Sequence, residues 1–174
     1  TLSLHDALPI FEMKIPDISE FEKEDLLERE KEVLGVYVTG HPLDEYTGMW
    51  EKHVSARSTD FLIDEETGET KAADSTKQTI GGLVRNIKVN TTKTGQQMAC
   101  LTIEDFVGSV EVILFPKAYE KNRRVLDMTN KVFITGRVQA NVGAEARLIA
   151  DSLVSFDSVP RRLWLRFDSL AQYE

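Results

Sequence analysis

A mainly β fold is predicted: five short strands closed into a barrel, one helix between the third and the fourth, and an α-helical segment ahead of the first. Three observations predict it. Between residues 79 and 156, runs rich in Val, Ile, Leu and Thr recur at short spacing, separated by Gly- and Asn-containing turns. Within the runs, apolar and polar residues alternate with the period of two that a half-buried strand requires. The one proline of this stretch, Pro116, directly follows the third run. Its fixed φ and missing N–H end a strand and suit the first turn of a helix.

The first strand is Ile80 to Val89. Leu83, Ile87 and Val89 share a parity with Arg85, and a glycine-permitted bulge near Gly81-Gly82 leaves open which way Arg85 points. A turn at 90–96, with Lys93-Thr94-Gly95 at its tip, leads to the second strand, Met98 to Ile103. After a loop at 105–108 comes the third, Ser109 to Phe115. The helix runs from Pro116 to about Leu126 and packs through Tyr119, Val125 and Leu126. The fourth strand starts at Lys131 and sets Val132, Ile134 and Val138 on one face. A turn at 141–144 leads to the fifth, Arg147 to Ala150. Five strands with one helix after the third is the pattern of the OB barrel, which commonly carries oligonucleotides on its strand 2–3 face and adjoining loops.

The chain has 174 residues, 41% hydrophobic and 29% charged, enough for one good core with flanking segments. No apolar run approaches the roughly 20 residues of a membrane helix, so no membrane partner is expected. The single cysteine, Cys100, cannot form an internal disulfide. It reads as a small core residue of the second strand and fits a reducing, cytoplasmic setting. The net charge of −8 would oppose nucleic-acid binding if it were spread evenly. It is not: residues 76–155 hold 11 Lys and Arg against 7 Asp and Glu, a balance of +4, while residues 1–75 hold 7 against 19, a balance of −12. Residues 156–174 hold 3 of each. An acidic leader thus precedes a mildly basic barrel, which predicts weak, salt-sensitive phosphate binding.

Residues 1–13 are a tail. Its beginning, TLSLHDALPI, lacks the positive flank and cleavage site of a signal peptide and reads as translated adapter sequence, not natural protein. Residues 14–54 are the helical segment. Ser19 and Glu22 form a capping box, Leu26, Leu27, Val33 and Leu34 follow at helical spacing, and Gly35 ends the helix. Glu20, Glu22, Glu24 and Asp25 crowd the first turns, where the helix dipole favours negative charge. They read as a solvated face, not as a metal or acid–base site. Pro42 opens a short second helix with Leu43, Tyr46 and Trp50 along one side. His41 has no nucleophile or metal partner beside it and reads as a turn-holding residue. His5 and His53 lack partners too, so neither a catalytic residue nor a metal site is expected. Residues 55–77 are polar and read as a mobile linker, with Phe61-Leu62 docking locally. The barrel domain is then 78–156. Residues 157–174 carry an alternating run from Arg162 to Phe167, a strand without its sheet, and read as the truncated start of a further domain.

Two sets of motifs carry a family resemblance. The specific one is Glu30-Lys31-Glu32-Val33-Leu34-Gly35 with Tyr37, Thr39-Gly40-His41-Pro42-Leu43-Asp44 and Tyr46. The more generic one lies in the barrel: Gly81-Gly82-Leu83-Val84, Lys93-Thr94-Gly95, Leu101-Thr102-Ile103-Glu104-Asp105, Gly108 to Pro116, and Gly136-Arg137-Val138. Together they cover residues 30–156 and closely resemble the alpha subunit of the bacterial replicative DNA polymerase III, from the end of its helix-hairpin-helix region through its OB domain. The resemblance implies a full subunit that performs template-directed phosphoryl transfer with Mg²⁺. The palm with its metal-binding carboxylates is not recognisable here, and no Gly-rich phosphate loop occurs. The segment itself should therefore be inactive and need no cofactor. The resemblance further implies DNA replication as the setting, single-stranded template as the ligand of the barrel, and sliding-clamp and clamp-loader subunits as partners through regions beyond this sequence. Ile10-Phe11 stands where the family carries a clamp-binding peptide, but lacks the rest of its pattern.

A barrel that holds single strands needs cations along the phosphates and flat groups for the bases. The candidate cations are Arg85, Lys88, Lys93, Arg137 and Arg147. Lys93 and Thr94, at a hairpin tip, are the best placed. Phe106, in the loop after the second strand, is the expected exposed stacking residue, whereas Phe115 and Phe133 are assigned to the core or an interface. Each cation is alternatively a solubilising surface charge. Lys117, Lys121, Arg123 and Arg124 form a solvated helix face or a second phosphate patch. Two other functions stay open. One is the OB anticodon-binding domain of an aminoacyl-tRNA synthetase, disfavoured by the few aromatics and by the 39–44 motif. The other is an OB protein-interaction module that binds no nucleic acid, which the modest barrel charge permits.

Overall fold

The computed structural model describes residues 20–141 and 143–159. The chain divides into two compact units, Thr1–Gly40 and His41–Glu174, and each is described by itself. In the first, helix α1 spans Lys23–Leu34 with Glu22 in the cap position. The Ser19 half of the expected capping box lies outside the described residues, as do Ile10-Phe11 and the run from Arg162 to Phe167. Gly35, at φ +78°, donates its N–H to the Lys31 carbonyl at 2.8 Å and ends the helix. The Glu30 carboxylate accepts the Thr39 N–H at 3.1 Å and the Thr39 hydroxyl at 3.0 Å. These donors, the backbone N–H first, hold its carboxyl below the ordinary range.

The second unit opens with a 3₁₀ turn at Asp44–Tyr46 and helix α2 at Thr47–His53. The barrel follows: β1 Lys77–Thr91, β2 Gln97–Glu104, β3 Ser109–Leu114, helix α3 Pro116–Met128, β4 Lys131–Asn141 and β5 Ala144–Ser155. The strands close in the order β1-β2-β3-β5-β4. Only β3 and β5 pair in parallel, and α3 makes the crossover between β3 and β4. Alternation sets Ala99, Leu101, Ile103, Val112, Leu114, Val132, Ile134 and Leu148 into the barrel, where each is buried. On β2 the same alternation turns Cys100 outward and leaves it half-buried, so it is not the core residue its apolar character suggested.

β1 is long because it serves two neighbours. Lys77 to Leu83 pair with β4, and Leu83 to Thr91 pair with β2. The change of partner requires close approach at Gly82, where a Cβ would lie 2.3 Å from the Glu104 carbonyl oxygen. The bulge sits at Arg85, between Val84 and Asn86, and not at the glycine pair. β5 runs beyond its expected end. A register shift between Thr135 and Gly136 skips Asp151, and the pairing resumes with Ser152 opposite Thr135 and Leu153 opposite Ile134. Asn122 of α3 braces this irregularity, accepting the Leu153 N–H at 3.0 Å while donating to the Ala118 carbonyl at 2.7 Å.

Residues 41–54 dock on the outside of the barrel. Leu43 and Trp50 bury themselves against Leu83, Phe133 and Phe156, and the Trp50 indole N–H donates to the Gly81 carbonyl at 2.6 Å. His41 holds the turn as expected. Its N–H donates to the Asp44 carboxylate at 2.7 Å, and its Nδ1 accepts the Leu43 N–H at 3.2 Å. The polar stretch 55–77 is packed, not loose. Phe61, at 1% exposure, joins Ala56 and Ala72 in the barrel core. Ser58 donates its N–H and hydroxyl to the Asp105 carboxylate, both at 2.7 Å. Val138 exchanges backbone bonds with Ser75 and Thr76. Among the described residues no helix is long and apolar enough to cross a membrane.

Candidate nucleic-acid interface

The strand register lays one continuous row of side chains around the outside of the barrel. Lys88 on β1 pairs with Cys100 on β2, Cys100 with Ile113 on β3, Ile113 with Ile149 on β5, and Ile149 with Arg137 on β4. Arg137 in turn pairs with Lys77. Because the barrel is sheared, the row leaves β1 at Lys88 and returns to it at Lys77. Its middle is apolar and its ends are cationic. Lys88 and Arg137 stand four strand spacings apart, roughly 19 Å along the curved sheet. Neither forms an ion pair among the described residues, and both are exposed.

The β1–β2 hairpin extends one end of this surface. Thr92 donates its N–H to the Gln96 carbonyl at 2.7 Å, and its hydroxyl oxygen accepts the Gln96 N–H at 3.1 Å. Gly95, at φ +78°, donates to the Thr92 carbonyl at 2.9 Å. The turn is thereby tied by its own backbone, leaving Lys93 and Thr94 exposed at its tip. The Thr94 hydroxyl lies 3.0 Å from that of Thr92.

The remaining expected residues are placed differently. Arg85 is the bulge residue itself, with its Nε 2.5 Å from the Glu104 carboxylate and about a quarter of its side chain exposed. Arg147 is paired with Glu111 at 2.6 Å, one step along the sheet from the row. Both guanidinium groups already have an anionic neighbour and add little field for a phosphate. Phe106 is not an exposed platform. Its ring is half-buried against Trp50, centroids 5.1 Å apart, and against His41 at 4.9 Å. It is drawn there because residues 41–54 lay an aromatic surface beside the loop that carries it. Phe133 is buried as expected and stacks on Phe156 at 4.2 Å. Phe115 is the exception: it is 51% exposed. It lines a cleft with Arg137 and Ile149. Lys77, which closes the row, was also missed by inspection of the sequence. On α3, Lys117, Lys121, Arg123 and Arg124 are exposed, with Arg123 near Asp127 at 3.9 Å. Among the described residues no group of three or more His, Cys, Asp or Glu side chains is placed to hold a metal ion.

Comparison with known proteins agrees with the barrel fold. Residues 78–155 match the family model described as an OB-fold nucleic acid binding domain. DNA polymerase III subunit alpha of Vibrio cholerae serotype O1 is 33% identical over 78% of this chain and 11% of its own length. The Aquifex aeolicus subunit is 34% identical over 72% of the chain and 10% of its own length. The chain therefore spans about a tenth of the curated relatives it matches. Among solved structures, asparaginyl-tRNA synthetase from Pyrococcus horikoshii is 19% identical over 49% of this chain and 20% of that one, with a TM-score of 0.38. That likeness carries no argument about function.

Proposed function

We propose, from the premise that this chain belongs to the bacterial DNA polymerase III alpha subunit family and is a segment of such a subunit, that its barrel holds single-stranded DNA for a reacting centre elsewhere in a longer polypeptide. The observation that carries the reading is the outer row. Unpaired cations at Lys88 and Arg137 flank the apolar middle formed by Cys100, Ile113 and Ile149, with the Lys93-Thr94 tip beyond. Cations track phosphates, and an apolar strip between them suits bases that are not paired to a second strand. With the row's cations assigned to phosphates and its apolar middle to base faces, sequence preference should be slight. The role is accessory. The Mg²⁺ chemistry of the family is assigned to parts of the longer protein outside this segment. The template strand, the other replicase subunits and a cytoplasmic setting follow as the context of the longer protein.

The test is fluorescence anisotropy of the chain with labelled single-stranded DNA, duplex DNA and a tRNA anticodon stem-loop over a range of salt. Single-stranded DNA is expected to bind best, with affinity falling steeply as salt rises. Lys93→Glu should weaken binding and flatten the salt slope by about 0.7 for each phosphate that is no longer neutralised. Preference for the stem-loop would favour an anticodon-binding module. No binding at low salt would favour a protein-interaction module.

A further inference from the structure

We infer that the cleft beside Phe115 is a stacking site for one unpaired nucleobase, with the attached phosphate held at Arg137. The inference rests on the single-strand reading above and gives it a specific pocket. Phe115 follows the last residue of β3, on the outward parity shared with Glu111 and Ile113. Pro116 then starts α3 directly behind it, so the ring is carried on a rigid strand-to-helix junction. Among the described aromatic side chains of the barrel strands and their loops, Phe133 is buried and Phe106 is packed against His41 and Trp50, whereas Phe115 keeps half of its surface in solvent.

The cleft, of about 410 Å³, is lined by Phe115 and Ile149 on one side, Arg137 and Gln139 on β4, and Asp74 and Ser75 from the stretch before β1. Its charges are arranged with a direction. Asp74 accepts the Ala140 N–H at 2.9 Å and the Ser75 hydroxyl at 3.0 Å. These donors, the Ala140 N–H first, keep its carboxyl below the ordinary range. An anion is therefore repelled from the Asp74 wall and drawn to the exposed Arg137. A ligand that suits both ends has a neutral, flat, polarisable part beside Phe115 and a negative group outside it. That is the chemistry of a nucleotide unit in a strand with no partner, because a base in a duplex has no free face to offer. The apolar neighbours Ile149 and Ile113 continue the surface toward Cys100 and Lys88 along the row.

The test compares the unaltered chain with Phe115→Ala and Phe115→Trp. The probes are a labelled oligothymidine and an abasic oligomer of equal length, and thermal melts confirm that each variant folds. The unaltered chain should prefer the base-bearing strand. Phe115→Ala should lose about tenfold in Kd for it, about 1.4 kcal/mol, and lose nothing for the abasic strand. Phe115→Trp should keep the affinity and add tryptophan emission that DNA quenches. Arg137→Gln should weaken both probes and flatten the salt slope for both. If the unaltered chain binds oligothymidine and Phe115→Ala binds it equally well, the stacking site is overturned while the single-strand reading stands. If the unaltered chain binds neither probe, both fall.

Discussion

Asp105 organises more of the molecule than any other single side chain in the loop it occupies. It is 6% exposed and accepts two hydrogen bonds from Ser58, both at 2.7 Å, and one each from the Val107 and Gly108 N–H groups at 2.9 Å. It therefore ties the β2–β3 loop to the segment that plugs the barrel. Asp105→Ala would strand these donors in a buried site. We expect a loss on the order of 3 kcal/mol, read in urea as a lower midpoint at unchanged slope. A loss under about 1 kcal/mol would show that water replaces the carboxylate. Nothing near Asp105 in sequence announces this role, because Ser58 is 47 residues away. Phe115 was different. Its parity with Glu111 marks it as outward-facing, and only the habit of burying phenylalanine argued otherwise. Phe106 failed as an exposed platform for a long-range reason, since Trp50 and His41 reach it from another element.

At the scale of elements, period-two alternation made the existence and order of all five strands visible, because each wall of a barrel faces core on one side only. The ends were less visible. Ile87 and Val89 remain 42% and 44% exposed, so the far half of β1 has no buried face to define it. At Asp151 the bulge breaks the alternation and hid the rest of β5. Residues 55–77 are polar on average, yet Ala56, Phe61 and Ala72 are spaced to close the barrel end, which no local period reports. The glycines at the crossings of β1 with β2 and of β4 with β5 are a sharper test. A Cβ at Gly82 would sit 2.3 Å from the Glu104 carbonyl oxygen, and one at Gly136 would sit 2.1 Å from that of Ile149. Backbone must move in both cases, so each Ala substitution should cost about 3 kcal/mol or more. Gly48, inside α2, has nothing within 4 Å of its would-be Cβ. Gly48→Ala should instead stabilise by up to about 1 kcal/mol. Thermal melts of the three variants check the ordering, and equal effects would refute the close-crossing account.

For the molecule as a whole, charge is segregated between leader and barrel, and carboxylates also hold the polar stretch 55–77 in place. Asp60 accepts the Arg57 N–H at 2.9 Å and meets the Lys71 ammonium at 3.0 Å. Burial raises its pKa, but the Arg57 N–H and Lys71 outweigh that and leave it below the ordinary 3.8. Asp74 is lowered from the same value by the Ala140 N–H first and the Ser75 hydroxyl next. A carboxyl whose folded pKa lies below its unfolded one stabilises the fold fully above the unfolded value. That stability is lost as pH falls through the folded value. The contribution of Asp60 and Asp74 is thus intact at neutral pH and fades below about 3.8. Melting temperature should begin to drop at about pH 4 and go on dropping as pH falls further in the unaltered chain. In an Asp60→Asn, Asp74→Asn double variant it should start lower at neutral pH and drop less, because the groups that titrate are gone. Circular dichroism melts across that range check it. Two parallel curves, offset by a constant amount, would mean that these two carboxylates do not hold the 55–77 stretch through their charge.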